Sequence, residues 1–442
     1  MIVAEKQPLV GAEGLLGRRG GRSEAVPWHP GSMLRPRRLL LGLLALTGFV
    51  APMDSIRAGG IGGLADVMLL ASLGLLAFIV LATGNYRKLT SYGPVLLAAT
   101  GMAFAGLIGT FFSVSPASSA LNIARFTIAV CGMMIVFANA AENDRDVRLL
   151  MWSYVMGSSA SALYGLVRPS PSGRPQGLSF HPNALGLTSV FALCLLYGLI
   201  SVASLRVRVI GLALVAVLGL GIVISGSRAA LVAGAVGTLV FVVASRNRRL
   251  IRYGALAVVS ALLALFLGLY TLPETTAIDR LFTPSELTSQ IDQERALVRD
   301  VAIQEIDAHP LTGSGFGDAT AAHNLPLQAL QAGGILGLAA FLVLVASILR
   351  PLIRRHRDEL VAGVLAMYCG YLATFFASNA LWDRWLWFPI TCGLALHASR
   401  SPGAVLGGGS RSQLSHGAEG GTASDREGTG LGNRPQPAGG TA

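Results

Sequence analysis

The sequence predicts an all-α polytopic membrane protein with about twelve transmembrane helices. Only 13% of the 442 residues are charged, whereas soluble domains carry about 25%. Apolar residues come in long runs such as "VIGLALVAVLGLGIVIS", which begins at Val209. Helical runs of about 20 residues match the roughly 30 Å thickness of the bilayer hydrocarbon. Strands of a transmembrane barrel are shorter and alternate between apolar and polar residues, which excludes that class.

Twelve apolar segments are predicted to span the membrane, and the first of them is short and weakly apolar. The predicted spans are residues 34–53, 64–83, 93–112, 122–141, 147–167, 183–203, 209–225, 229–245, 252–271, 325–349, 360–378 and 384–398. Together they form one transmembrane domain, residues 34–400. Residues 1–33 are polar, Gly-rich and basic, and residues 401–442 lack bulky apolar side chains. Neither segment can bury enough surface to fold, so we expect a disordered cytoplasmic leader and a disordered cytoplasmic tail.

The net charge of +11 could indicate nucleic-acid binding, but the positions of the charges argue against it. With both termini in the cytoplasm, about three quarters of the lysines and arginines fall in cytoplasmic segments. This bias follows the positive-inside rule and fixes the orientation of a multi-pass protein in the cytoplasmic (inner) membrane. The four cysteines all fall within predicted spans at scattered positions, which indicates core packing rather than disulfides or a metal site.

The longest predicted loop, residues 272–322, lies on the outer side between the ninth and tenth spans. Its stretch "SQIDQERALVRDVAIQEIDAHP" places apolar residues on one helical face, which predicts an amphipathic helix along the outer membrane surface. Ser289 and Asp292 resemble a capping box at the start of this helix, and Pro310 is expected to end it at or before His309.

Arginines on the outer side are the candidate binding residues. Arg228 lies in the short turn "SGSRAALVAG", where small neighbours leave room for a guanidinium to bind phosphate oxygens. The alternative is an arginine that extends to lipid headgroups. Arg295 is either an anion ligand or a solvated helix residue, and Arg299, four residues on, shares its face. Arg174 is a weaker candidate in the loop before the sixth span. Arg384, among three tryptophans, is better explained as an interfacial anchor paired with its neighbouring aspartate.

His323 stands directly before the tenth span, in "AAHNLPLQALQAGGILG". With a reference pKa of about 6.5 it could act as a general base for a hydroxyl, or it could be a hydrogen-bonded interfacial histidine. His181 and His309 are better explained as helix-terminal residues, the former capping the sixth span. Gly333 and Gly337, four residues apart, would let another helix approach closely.

The first predicted outer loop, near residues 54–63, has Asp54 as its only carboxylate. A hard divalent cation needs clustered carboxylates. If the protein is a transferase, the sequence therefore favours a metal-free mechanism. The chain has no P-loop, dinucleotide-binding or zinc-binding motif in a suitable context, and we expect no cofactor.

Four motifs occur in an order that resembles the O-antigen ligase and O-antigen polymerase superfamily. They are "GRPQGLSFHPNALG", "ISGSRAALVA", "ERALVRDVAIQEIDAHPLTGSGFG" and "AHNLPLQALQAGGILGL", and they extend over about residues 170–340. Known members are membrane glycosyltransferases with a large outer loop between late spans. They transfer a glycan from an undecaprenyl-diphosphate carrier to a hydroxyl on a glycan or glycolipid acceptor. Their mechanism is thought to be inverting and metal-independent.

The resemblance implies roles for individual residues. His323 takes the position of the histidine that acts on the acceptor, and Arg228 and Arg295 take those of the arginines that hold the diphosphate. Asn324, Arg299 and Arg174 are candidate accessory residues. The family often has tryptophan where Arg299 stands, so the role of Arg299 is open. The implied partners are the carrier-linked glycan, the acceptor and the bilayer.

The alternative of another class is a twelve-span transporter or flippase of a lipid-linked glycan. Such transporters usually have a long cytoplasmic loop between the sixth and seventh spans, where this chain has only "LRVR". They also tend to place ionisable residues near the bilayer midplane, and few are predicted there. An inactive scaffold is a third alternative.

Overall fold

A computed structural model describes most of the predicted transmembrane domain. The described residues are 36–58, 62–84, 86, 89–168, 174–245, 286–317, 323–377 and 381–400. The predicted leader, the predicted tail and the predicted ninth span lie outside them. Within the described residues the chain is helical, apart from a two-residue antiparallel ladder that pairs Arg57–Ala58 with Gly62–Gly63.

The described helices are numbered α1 to α13 in chain order. They are α1 (Pro36–Val50), α2 (Leu64–Thr83), α3 (Gly93–Thr110), α4 (Pro116–Thr127), α5 (Met133–Ala140), α6 (Asp144–Val167), α7 (Pro182–Ser201), α8 (Leu205–Ile224), α9 (Arg228–Ala244), α10 (Glu286–Ala308), α11 (Leu325–Arg354), α12 (Glu359–Leu372) and α13 (Arg384–Ser399). A π-helical stretch, Ile128–Gly132, joins α4 and α5 into one continuous apolar helix. Short 3-10 turns lie at Thr90–Tyr92 and Phe375–Ala377.

Six helices in the described part of the chain are long and apolar enough to cross a membrane. They are Leu64–Thr83, Thr90–Thr110, Pro116–Ala140, Pro182–Ser201, Leu205–Ile224 and Leu325–Arg354. Two shorter apolar helices, α9 and α12, accompany them. The all-helical class is thus confirmed, whereas the count of twelve spans stays a prediction.

Helix α7 forms the centre of the bundle. Its apolar window is 89% buried inside the protein, compared with 22% for α2. Helices α6, α8, α9 and α12 pack against it, so its apolar surface faces protein, whereas that of α2 is left for lipid. Glycines permit the closest approaches. A Cβ atom on Gly198 would lie 2.7 Å from the Glu359 carbonyl oxygen, and one on Gly370 would lie 2.5 Å from that of Ala233.

The outer helices present large apolar side chains on the exterior of the bundle. Leu81 is 87% exposed, Phe111 85% and Leu97 75%. A surface of this kind would drive association in water, but against lipid tails it has no solvation cost. The exposed apolar surface and the apolar helices together indicate an integral membrane protein.

Helix α11 is interrupted at Gly333 and Gly334, where the backbone leaves helical geometry. The glycine-rich segment, residues 311–317, occupies this break. The backbone N–H groups of Ser314 and Gly315 donate to the carbonyl oxygens of Gln331 (2.7 Å) and Ala332 (3.1 Å). These carbonyls therefore accept tertiary hydrogen bonds where the helical ones are lost.

Only glycine fits at the break. Gly334 has a φ of 60°, and a Cβ atom there would lie 2.2 Å from the carbonyl of Leu311. The predicted close approach of another helix is confirmed at Gly333, where a Cβ atom would lie 2.9 Å from that of Ala105 in α3. The sequence pattern thus predicted the helix contact correctly but not the interruption.

The predicted loop helix is present as α10. It ends at Ala308, as Pro310 predicts, and His309 follows its last turn. The predicted start was wrong, because the helix begins at Glu286 rather than near Ser289. Another serine, Ser285, directly precedes Glu286 in the sequence. Serine is a preferred N-cap residue, so the sequence contains a second helix-start signal at Ser285.

The loops predicted to lie on the outer side are hydrogen-bonded to one another. The Ser55 N–H donates to the Leu178 carbonyl (3.0 Å), and the Ser179 hydroxyl donates to the Pro52 carbonyl (3.0 Å). The Phe316 N–H donates to the Ser119 hydroxyl oxygen (2.9 Å). These contacts join the loop after α1 to the loop after α6, and the start of α4 to the glycine-rich segment.

Candidate functional site

Arg174 is in direct contact with the turn that precedes Arg228. Its Nη2 donates to the Ser225 carbonyl oxygen (2.9 Å) and to Oδ1 of Asn183 (3.3 Å). The close packing of α7 on this turn depends on Gly186, where a Cβ atom would lie 2.7 Å from the Ser225 hydroxyl oxygen. The Arg174 loop, the first turn of α7 and the turn between α8 and α9 therefore form one unit.

Arg228 is the first residue of α9 and is half-buried. The turn before it needs Gly226, whose φ is 63°. Ser227 caps the helix, because its hydroxyl oxygen accepts from the N–H of Ala230 (3.3 Å). The N-terminal end of a helix carries free N–H groups and a partial positive charge. Arg228 thus extends from the capped N-terminal end of α9, and such helix ends favour anions.

His181 caps α7, as the sequence predicted. Its Nδ1 accepts a hydrogen bond from the backbone N–H of Asn183 (3.1 Å). The pKa of His181 is lowered to about 4, mainly by partial burial of the imidazole and in addition by the charges of Arg174, His323 and Arg295. These contributions place Arg174, Arg295 and His323 in the neighbourhood of His181.

His323 has unusual backbone geometry. Its φ of 46° is the only positive value at a non-glycine residue in the described part of the chain. Asn324, directly after it, caps α11, since its Oδ1 accepts from the N–H of Leu327 (3.1 Å). The predicted accessory residue Asn324 therefore has a structural function. Burial lowers the pKa of the His323 imidazole, and the neighbouring charge of Arg295 lowers it further.

Arg295 and Arg299 differ although they lie one turn apart on α10. Arg295 is half-buried and affects both His181 and His323. Arg299 is exposed, and its Nε lies 3.8 Å from Oδ1 of Asp300. The structure thus associates Arg295 with the two histidines and places Arg299 at a solvent-exposed ion pair.

A carboxylate fixes α10 against α11. Glu305 Oε2 accepts from Nε2 of Gln331 (2.6 Å) and from the Ser314 hydroxyl (3.0 Å). Both contacts involve elements that flank the break in α11. Glu305 lies on the helix that carries Arg295, and Gln331 lies on the helix that His323 precedes. The network therefore holds the Arg295 helix in a defined position relative to His323.

A second polar group lies near the first outer loop. Asp54, Asp66 and Asp383 lie together beside Arg384, which forms an ion pair with Asp66. The charge of Arg384 also acts on Asp383, as predicted, but its ion pair with Asp66 was not predicted. Burial raises the pKa of Asp54 to about 8 and that of Asp383 to about 6.

The sequence could not reveal this acidic group, because Asp383 is more than 300 residues from Asp54 and Asp66. The first outer loop contains a single carboxylate, so no local motif indicates the group. Within the described residues, no three Asp, Glu, His or Cys side chains are grouped as ligands for a metal ion. The ion pair with Arg384 instead occupies one of the carboxylates.

The candidate site therefore combines residues from four parts of the chain. Arg174 and His181 belong to the loop and cap before α7, Arg295 belongs to α10, and His323 directly precedes α11. Arg228 joins them through the turn that Arg174 contacts. The sequence did not predict that His181 lies near His323, because some 140 residues separate the two. We will call these five residues the cationic site.

A comparison with protein families gives an independent result. Residues 212–342 match the model of a family described as O-antigen ligase. The matched segment contains Arg228, Arg295 and His323, whereas Arg174 and His181 precede it. No curated protein matches the chain. The match confirms the resemblance to the O-antigen ligase superfamily over residues 212–342.

Proposed function

We propose that the protein transfers a glycan from an undecaprenyl-diphosphate carrier to a hydroxyl acceptor on the outer face of the cytoplasmic membrane. The observation that carries this proposal is the cationic site, in which arginines and a half-buried histidine of lowered pKa occupy one region. Anion binding and proton removal are the two operations that such a transfer requires. One transmembrane domain, residues 34–400, would contain the site, with the loop of residues 272–322 above it.

Arg228 and Arg295 would bind the diphosphate of the carrier. As the bond between the anomeric carbon and the phosphate oxygen breaks, its electron pair passes to the diphosphate. Fixed guanidinium groups stabilise the charge that develops there, and they need no reorganisation during the reaction. This arrangement supports a metal-independent step, because the arginines supply the positive charge that a cation would otherwise provide.

His323 would act as the general base. A lowered pKa keeps its imidazole neutral near pH 7 and therefore able to accept a proton. The acceptor hydroxyl gives its proton to His323 while its oxygen forms the new bond to the anomeric carbon. Attack on the face opposite the leaving diphosphate inverts the anomeric configuration.

Reconstitution of the purified protein in liposomes tests the proposal. The liposomes contain an undecaprenyl-diphosphate glycan, candidate acceptors are added, and products are identified by mass. Stepwise chain lengthening would identify a polymerase, and addition of a single block to a glycolipid would identify a ligase. Movement of the carrier-linked glycan across the bilayer without a new bond would contradict the proposal and favour the transporter alternative.

A further inference from the structure

We infer that His181 is a neutral hydrogen-bond donor that binds a diphosphate oxygen through Nε2, with its tautomer fixed by its capping contact. This inference rests on the proposed function and deepens it. It assigns to His181 a role different from that of His323, although both are histidines of the cationic site.

The capping contact determines the tautomer. Nδ1 of His181 accepts the backbone N–H of Asn183 at 3.1 Å, so Nδ1 carries no proton. In a neutral imidazole the proton then resides on Nε2, which becomes a donor. The side chain has no acceptor left to offer. His181 therefore presents a single N–H group at the outer end of α7, where the ring remains accessible.

The surroundings of this N–H group are suited to an anion. Asn183, two residues on, is contacted by Arg174, which also contacts the Ser225 carbonyl in the turn before Arg228. The N-terminal ends of α7 and α9 thus lie side by side, and both favour negative charge. Arginine side chains are donors only, and the one nitrogen of His181 that the capping contact leaves free is also a donor.

This set of donors distinguishes the diphosphate from the acceptor. The diphosphate oxygens are acceptors only, so they match a site that presents only donors. A sugar hydroxyl is both donor and acceptor, and its proton needs a partner such as the His323 imidazole. The diphosphate is therefore the part of the substrate that His181 recognises.

His181 remains neutral under the conditions in which the protein works. Its pKa is lowered to about 4, mainly by partial burial, and Arg174, His323 and Arg295 are the charged groups that act on it. At pH 7 the neutral form then exceeds the charged form by about a thousandfold. His181 cannot become a fourth cation, and its capping contact persists across the neutral range.

Two substitutions separate the donor from the cap. Asn is a preferred N-cap residue, so His181→Asn retains the cap but removes the donor at the Nε2 position. Gln reaches further and can place an N–H near that position, but it is a weaker cap. We expect His181→Asn to lower kcat/KM for transfer by about 10- to 150-fold, the range for a lost hydrogen bond to a charged group. His181→Gln should retain more activity than His181→Asn but should unfold at a lower temperature.

The pH profile provides a second readout. Because His181 is neutral between about pH 6 and 9, His181→Asn should lower the rate by the same factor throughout that range. Wild-type activity in His181→Asn, or a shifted acidic limb in its profile, would overturn the inference. If the wild type transfers no glycan, the proposed function fails. The donor role of His181 is then tested by measuring how tightly each protein binds undecaprenyl diphosphate. Weaker binding by His181→Asn would support the donor role, while equal binding, or none by the wild type, would refute it.

Discussion

His323 is positioned by its backbone as well as by its neighbours. Its φ of 46° lies in the left-handed region, which costs a non-glycine residue about 1–2 kcal/mol. Asn324 caps the following helix, and this contact holds the strained residue at the start of α11. Backbone strain of this kind persists only where the surrounding structure enforces it, and it is concentrated at functional sites.

Substitution of His323 by asparagine tests its role without adding strain. Asn tolerates the left-handed region better than other side chains, but it cannot act as a base near pH 7. We expect His323→Asn to reduce transfer by at least about 100-fold, the contribution of a general base, with an unchanged unfolding temperature. Transfer rates in liposomes and thermal unfolding in detergent check this. Full activity would exclude His323 as the base.

Arg295 should set the pH at which activity is lost on acidification. Its charge lowers the pKa of His323, although burial is the larger cause. Removing the charge in Arg295→Gln raises that pKa, so His323 becomes protonated at a higher pH. The acidic limb of the residual kcat/KM profile should therefore move upward. Arg299→Gln is the matched control on the same helix, and its profile should stay at the wild-type position. Equal profiles for both variants would refute the coupling.

At the scale of elements, the break in α11 couples the outer loop to the membrane domain. The glycine-rich segment donates its backbone N–H groups to carbonyls that the break releases. Glu305 fixes α10 to the same place through Ser314 and Gln331. The element that carries Arg295 and the helix that follows His323 are thus joined about two to three helical turns from the site.

Gly334→Ala tests this coupling. A Cβ atom there would lie 2.2 Å from the Leu311 carbonyl at a φ of 60°. We expect a loss of about 1–3 kcal/mol of stability together with reduced transfer, because the glycine-rich segment must move. Gly219→Ala in α8 is the control, since its Cβ would meet nothing within 4 Å and alanine favours helix. Thermal unfolding of both variants checks this prediction. Equal stability of Gly334→Ala and Gly219→Ala would contradict it.

Local sequence patterns correctly predicted helix ends and caps, because these depend on interactions between residues close in the chain. Pro310 correctly predicted the end of α10, and the His181 cap followed from its place before Pro182. The break at Gly333 could not be predicted, because it depends on hydrogen bonds from residues about 20 positions earlier. The meeting of Asp54 with Asp383 and that of His181 with His323 are likewise products of tertiary packing. Hydrophobic periodicity indicates local secondary structure and contains no information about contacts between distant residues.

At the scale of the whole molecule, we propose that the chemistry takes place at one end of a bundle with an apolar exterior and a buried central helix. Helix α7 is surrounded by other helices, whereas α2 and α3 expose leucine and phenylalanine side chains. The cationic site lies where α7, α9 and α11 begin. All three ends belong to segments that the positive-inside rule places outside the cytoplasm. A carrier lipid in the outer leaflet would present its diphosphate at this level.

The central claim is that this site forms a glycosidic bond by displacing a diphosphate. The most direct measurement follows purified wild-type protein and Arg228→Gln in liposomes that contain an undecaprenyl-diphosphate glycan and an acceptor. Product mass and anomeric configuration are determined by mass spectrometry and NMR. The account predicts a new bond of inverted configuration with the wild type and a rate lowered by at least about 100-fold in Arg228→Gln. Retained configuration, or equal rates for the two proteins, would contradict it.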